Sequence, residues 1–186
     1  MRSILGIVGS PRKGGNTDVL VSALLAGAEE AGAACKRVLL GELTIEECIG
    51  CHACWARRPC SRNDDMIALY DQIVAADAIV FGTPVYWYAP TALMKAFIDR
   101  FVFFNCPDNR PGVRGKSAAI VVPFEETDYD TSAPVVRFFE RALAHLEMNL
   151  AARLLVPGVT RRGEAGDLPD AMAEARRIGQ ELAGHG

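Results

Sequence analysis

Apolar and polar positions fall in alternating blocks along this chain. Ile4 to Val8 is a short apolar run that reads as a buried strand, and Asp18 to Ala31, rich in Ala and Leu, reads as a helix that stops near Gly32. Lys36 to Leu40 has the pattern of a second strand, and Thr44 to Arg62 is irregular and carries cysteines. Asp64 to Ala76 returns to helical spacing, with Met66, Ile67, Tyr70, Ile73 and Val74 grouped on one side. Ala78 to Phe81 is again strand-like and is followed by the loop TPVYWYAPT, a predicted helix from Ala92 to Phe104, and a Pro/Gly/Asn-rich connection from Cys106 to Gly115. Ser117 to Val122 and Leu150 to Val156 read as strands, and Ala133 to Glu147 and Leu168 to Ala183 as helices. Five strands alternating with helical segments predict an α/β fold, because parallel strands need crossover connections and those crossovers cover both faces of the sheet.

Composition narrows the class. With 186 residues, half of them hydrophobic, the chain fills one core and is short for two, so residues 1–186 are expected to form a single domain. A formal net charge of -3 gives no general attraction to nucleic acid or anionic membranes. No segment approaches the roughly 20 apolar residues of a membrane span. The first apolar run is too short for a signal peptide, so the expected location is the cytoplasm. Six cysteines in a reducing compartment read as ligands or reactive thiols rather than as a disulfide framework.

The loop GSPRKGGNT, Gly9 to Thr17, lies between the first strand and the first helix, at the sheet edge where open α/β folds bind ligands. Its glycines let backbone N–H groups turn inward, Ser10, Asn16 and Thr17 offer polar side chains, and Arg12 and Lys13 add positive charge beside a helix N-terminus. The expected guest is a phosphate. A nucleoside-triphosphate loop would follow Gly14 with Lys and then Ser or Thr, whereas this chain has Gly15 and Asn16, and the dinucleotide pattern GxGxxG is absent too. A monophosphate such as FMN survives the elimination. In the strand order 2-1-3-4-5, strands one and three are neighbours, so the aromatic loop bearing Tyr86, Trp87 and Tyr88 would share a crevice with the phosphate loop.

These two stretches, GSPRKGGNT and TPVYWYAPTALMKAFIDR, resemble the NADPH-dependent FMN reductase and iron-sulfur flavoprotein group of flavodoxin-like proteins over about residues 1 to 125. The resemblance implies a flavodoxin-like doubly wound five-stranded parallel sheet. It also implies that Ser10, Arg12, Asn16 and Thr17 hold the FMN phosphate and that Pro84, Val85, Tyr86 and Trp87 line the flavin ring. Lys95, Phe97 and Asp99 are read as packing or helix-surface positions. The chain departs from the group after the fourth strand, where VVPFEETDYDTS stands in place of a glycine-bearing loop and Glu125 and Glu126 read as solvated acids.

CIGCHACWARRPC places Cys48, Cys51, Cys54 and Cys60 within thirteen residues, at intervals of two, two and five. Short Cys-x2-Cys steps wrap successive thiolates around one corner of a cluster, and a fourth ligand after a longer interval can close a [4Fe-4S] site. The spacing resembles the compact ligand motif of the iron-sulfur flavoproteins; zinc, and a thiol loop without metal, are the alternatives. Cys51-x5-Arg57 has phosphatase-like spacing but lacks the following Ser or Thr. His52 reads as a polar loop residue, Trp55 as a packing residue, and Cys35 and Cys106 as free thiols, Cys35 buried.

Together the loops predict an oxidoreductase in which bound FMN takes a hydride from NADPH or NADH and reduces a flavin, quinone or other small acceptor, with no side chain required as acid or base. The rival expectation is an electron carrier in which the cysteines serve single-electron exchange with a ferredoxin-like partner. The resemblance also implies a homodimer or homotetramer with FMN near a subunit contact.

Overall fold

In the computed structural model, which describes residues 1–184, the five apolar runs become one parallel sheet in the order β2-β1-β3-β4-β5. The strands are β1 (Ser3–Val8), β2 (Ala34–Leu39), β3 (Ala78–Gly82), β4 (Ser117–Pro123) and β5 (Asn149–Val156). β1 pairs with β2 on one side and β3 on the other, in register from Ile4↔Ala78 to Val8↔Gly82. This is the predicted flavodoxin-like order.

The pleat divides the core in two. Leu5, Ile7, Ile79, Phe81, Ala118, Ile120 and Val122 face helices α2 (Met66–Ala75), α3 (Ala92–Asp99), α4 (Val102–Asn105) and α5 (Ala133–His145). Ile4, Val8, Ala78, Val80, Ala119 and Val121 face α1 (Asn16–Glu30) and α6 (Pro169–Gly184). Because both faces are covered, the central strands read as continuous apolar runs rather than as alternation. The edge strand β2 instead exposes Ala34, Lys36 and Arg37, charges that discourage pairing with another chain. α1 and α6 cross closely through two glycines: a Cβ at Gly179 would collide with the Leu24 carbonyl, and one at Gly27 with the Arg176 carbonyl.

Three expectations are corrected. In α2 the core takes Met66, Leu69, Tyr70 and Ile73, spaced i, i+3, i+4, i+7, while Ile67 and Val74 are 42% and 47% exposed. Adjacent residues lie about 100° apart around a helix, and Ile67 and Val74 fall outside the stripe that Met66, Leu69, Tyr70 and Ile73 turn to the core. The helix predicted from Ala92 to Phe104 is broken after Asp99. Arg100 and Phe101 continue in tight i→i−3 turns, Phe103 N–H donating to the Arg100 carbonyl at 3.1 Å and Phe104 N–H to that of Phe101 at 2.9 Å. The break turns Phe101 and Phe104 into the core beside Phe97 and Phe81. That cluster feeds the core, as does Cys106, which is buried, whereas Cys35 is only half-buried.

Candidate functional site

The site is assembled from strand ends. At the carboxyl edge of β1, Gly9 N–H donates to the Gly82 carbonyl at 2.7 Å, joining the phosphate loop to the end of β3. Thr91, 2% exposed, caps α3 by accepting from Met94 N–H at 3.1 Å and donates its hydroxyl to the Gly9 carbonyl at 2.5 Å. Thr91 N–H in turn donates to Thr83 Oγ1 at 3.1 Å. One threonine thus fixes the phosphate loop, the aromatic loop and α3 relative to one another.

Within the phosphate loop, Gly14 adopts φ +68, a left-handed conformation that a side chain would strain, and its N–H donates to Asp18 Oδ2 at 2.7 Å. Asp18 is buried and receives Arg37 Nη1 at 2.8 Å, so the loop is buttressed from β2. Gly15 caps α1 without a side-chain acceptor, which leaves the helix's first-turn N–H groups for a ligand at the wall formed by Gly15, Asn16 and Thr17. The side-chain Oδ1 of Asn16 accepts from Ala165 N–H at 3.1 Å, which leaves its side-chain NH2 for the cavity that Asn16 lines. Lys13 pairs with Glu42 at 2.6 Å and does not line the cavity.

The cavity at this edge has a volume of about 170 Å3. Ser10, Arg12, Asn16, Thr17, Pro84, Val85 and Tyr86, all expected at a flavin site, line it together. Trp87 does not. It lies in an adjoining, more open cleft of about 450 Å3 with Val85, Tyr86, Tyr88, Glu125, Glu126 and Thr131, and is 94% exposed. Trp87 and Tyr88 occupy consecutive left-handed positions, φ 50 and 60, in a two-residue turn closed by Tyr86 N–H to the Ala89 carbonyl at 2.9 Å and Ala89 N–H to that of Tyr86 at 3.1 Å. Non-glycine residues there cost of order 1–2 kcal/mol each, strain of the kind found at functional loops.

Pro123, Phe124, Val159, Thr160 and Arg162 also line the cavity and were missed from sequence, and Glu125, read there as a solvated acid, lines it too. They follow β4 and β5, so the carboxyl-edge rule that singled out the first loop would have found them if applied to every strand. Polar groups and two arginines at one end, with Pro84, Val85, Tyr86 and Phe124 beside them, suit a phosphate joined to a flat apolar ring. The residues present fit FMN.

The cysteine segment is pinched at its neck by a buried guanidinium. Arg100, 1% exposed, donates to Asp64 Oδ2 at 2.5 Å, to the Glu46 carbonyl at 3.0 Å and to Cys60 Sγ at 3.3 Å. Glu46 N–H donates to the same Asp64 oxygen at 2.9 Å. Burial would raise the Asp64 carboxyl, but the hydrogen bonds from Arg100 and Glu46 and the guanidinium charge outweigh it and hold it below the ordinary range. Tyr70, whose hydroxyl donates to the Arg100 carbonyl at 3.3 Å, is pushed up to about 12 by burial, against the nearby Arg100 charge. Trp55 packs as expected, its Nε1 donating to the Val102 carbonyl at 3.1 Å. Arg57 pairs with Asp108 at 2.7 Å, which leaves the phosphatase-like spacing without its arginine.

Cys51 is exposed and lies 3.0 Å from Ser61 Oγ, while Cys48, Cys54 and Cys60 are half-buried. Burial raises the Cys54 thiol against backbone hydrogen bonds that lower it, and nearby Cys60 and Cys48 act in the same direction as burial. Among the described residues no group of three or more Cys, His, Asp or Glu side chains is gathered within metal-binding reach. The donor set nevertheless fits an iron-sulfur cluster in kind: four thiols on one loop, with a buried cation donating to one sulfur. No described helix is long and apolar enough to cross a membrane.

The sequence pattern of the NADPH-dependent FMN reductase family matches residues 2–127. An iron-sulfur flavoprotein of Archaeoglobus fulgidus is 36% identical over 120 residues, covering 64% of this chain and 53% of that protein. The chain spans about half the length of the curated iron-sulfur flavoproteins it matches. Among solved structures, an NAD(P)H:quinone oxidoreductase from Methanothermobacter marburgensis superimposes with a TM-score of 0.73 at 17% identity, covering 100% of this chain and 98% of the other. A flavodoxin from the domain Archaea superimposes with a TM-score of 0.62 at 15% identity, covering 99% and 97%. At those identities the two structures speak to the fold alone.

Proposed function

The chain belongs to the NADPH-dependent FMN reductase family, and from that premise we propose that its 186 residues act as one flavodoxin-like domain that holds FMN noncovalently and moves electrons from NADPH or NADH to a flavin, quinone or other small acceptor in the cytoplasm. The observation that carries the proposal is the joined pair of cavities, polar and arginine-bearing at the phosphate loop, aromatic and open at Tyr86 and Trp87. When bound, FMN supplies the redox chemistry, accepting a hydride and releasing two electrons together or singly.

The protein's own residues bind and orient. Ser10, Arg12, Asn16, Thr17 and the first-turn N–H groups of α1 hold the phosphate. Pro84, Val85 and Tyr86 wall the ring, and Trp87 stands at the entrance, where a second planar molecule would stack. The open cleft admits donor and acceptor in turn, so the kinetics are ping-pong. No side chain is assigned as acid or base. The exposed turn at Trp87 is also the surface proposed to meet a second copy of the chain in a homodimer or homotetramer.

Anaerobic rapid mixing tests this reading: NADPH or NADH bleaches the yellow absorbance of the FMN-loaded protein, and a small quinone restores it. Absorbance that stays oxidised with both nicotinamides refutes it.

A second reading is favoured by one specific feature, the four thiols on a loop clasped by Arg100. Cys48, Cys51, Cys54 and Cys60 would hold a [4Fe-4S] cluster, whose chemistry is single-electron exchange, and a ferredoxin-like protein would be the partner. Anaerobic purification with iron and sulfide analysis decides between them: about four of each per chain supports the carrier, and flavin without iron or sulfide leaves the nicotinamide-dependent reductase.

A further inference from the structure

Arg162 lies on the connection between β5 and α6, far in sequence from the phosphate loop. It lines the same cavity as Arg12. Nη2 donates to the Lys13 carbonyl, and a Cβ placed on Gly14 would meet Nη2 at 3.6 Å. The connection that presents it is itself anchored. Glu164 Oε2 accepts from the N–H groups of Thr160 and Arg161, each at 2.8 Å, and Ala165 N–H donates to Asn16.

The charges around it are unevenly satisfied. Lys13 is neutralised by Glu42 and Arg161 by Glu164. Among the described residues Arg12 and Arg162 have no carboxylate partner, and both face the same cavity of about 170 Å3. Two guanidinium groups without an ion-pair partner, in a cavity whose lining also includes the Glu125 carboxylate, suit the charge of about -1.5 to -2 that a phosphomonoester carries at neutral pH.

We propose that Arg162 is a phosphate-binding residue that grips the terminal phosphomonoester from the β5–α6 connection, opposite Arg12 on the first loop, and makes the site select the phosphorylated flavin over riboflavin. This rests on the flavin reading of the cavity. Strapped to the Lys13 carbonyl, the guanidinium is pre-set beside the phosphate loop, so little side-chain freedom is lost when the anion arrives.

The test is flavin affinity, measured by fluorescence quenching for FMN and riboflavin on the wild type, Arg162→Gln and Arg162→Lys. Arg162→Gln is expected to weaken FMN by at least about tenfold, the loss of one charge-assisted hydrogen bond, and to leave riboflavin within about twofold. Arg162→Lys restores part of the FMN affinity. Unchanged FMN binding, or equal weakening of FMN and riboflavin, overturns the proposal. If the wild type binds neither flavin, the flavin reading itself falls, and inorganic phosphate then decides the arginine's role. A phosphate-dependent rise in melting temperature that Arg162→Gln abolishes supports it, and no rise or an equal rise overturns it.

Discussion

Replacing Asp64 by Ala would leave Arg100 charged and only 1% exposed, with the Glu46 carbonyl and Cys60 Sγ as its remaining partners. Removing one member of a buried ion pair costs about 3–5 kcal/mol, because the surviving charge cannot return to water. Against a total stability of roughly 5–15 kcal/mol that loss is large, and at about 2–4 °C per kcal/mol for a chain of this size it lowers Tm by about 6–20 °C. Arg100→Met should cost less, since the Asp64 carboxylate keeps the Glu46 and Met66 N–H groups as donors at 2.9 and 3.2 Å. In Asp64→Ala/Arg100→Met no charge is stranded, so the double variant should be more stable than the sum of the singles predicts, by at least about 1.5 kcal/mol. Urea unfolding under reducing conditions at one fixed FMN concentration measures all four corners of the cycle, with an unchanged m-value as the check on two-state behaviour. A cost below about 1 kcal/mol for Asp64→Ala, or strict additivity, would refute the clasp.

The same pair gives a pH signature. The Asp64 carboxyl is depressed in the folded state, so its stabilisation is present above the unfolded value of about 3.9 and is lost as pH falls through the lower folded value. The stability difference between wild type and Asp64→Asn should therefore hold steady from neutral pH to about 4 and shrink below it; a difference that grows on acidification contradicts the assignment. Thr91→Val removes the α3 cap and the hydroxyl bond to Gly9, and should cost about 1–2 kcal/mol in urea unfolding while weakening FMN more than that loss of stability explains. Gly179→Ala drives a Cβ into the Leu24 carbonyl where α6 crosses α1, and should destabilise by about 1–3 kcal/mol or more by thermal unfolding; a neutral outcome would mean that the two helices separate freely.

The strand order, the two-faced core and the Gly-rich polar loop at the sheet edge were legible in the chain because each depends on local pattern. Apolar runs such as Ile4 to Val8 and Ala78 to Phe81 specify buried parallel strands by composition, and a Gly-rich polar loop between strand and helix specifies an anion site by backbone geometry. Seven of the eight residues expected at the flavin meet in one cavity for the same reason, since the first and third strand ends are neighbours whenever the order is 2-1-3-4-5.

Other features needed three dimensions. Which of Ile67 or Met66, and of Val74 or Ile73, enters the core depends on the rotation of α2 against the sheet, which the apolar pattern leaves open when both neighbours are apolar. Beside the break after Asp99 the buried Arg100 finds its partners in Asp64 and the Glu46 carbonyl, 36 and 54 residues away. Arg162 is brought to the first loop through a contact with the Lys13 carbonyl, 149 residues distant. The sequence by itself determined the sheet and its order, and placed a Gly-rich polar loop at the sheet edge, because these are properties of short stretches. The tertiary structure alone decided which charges are paired and which are left facing the cavity, because charge compensation is settled between residues that the chain order keeps far apart.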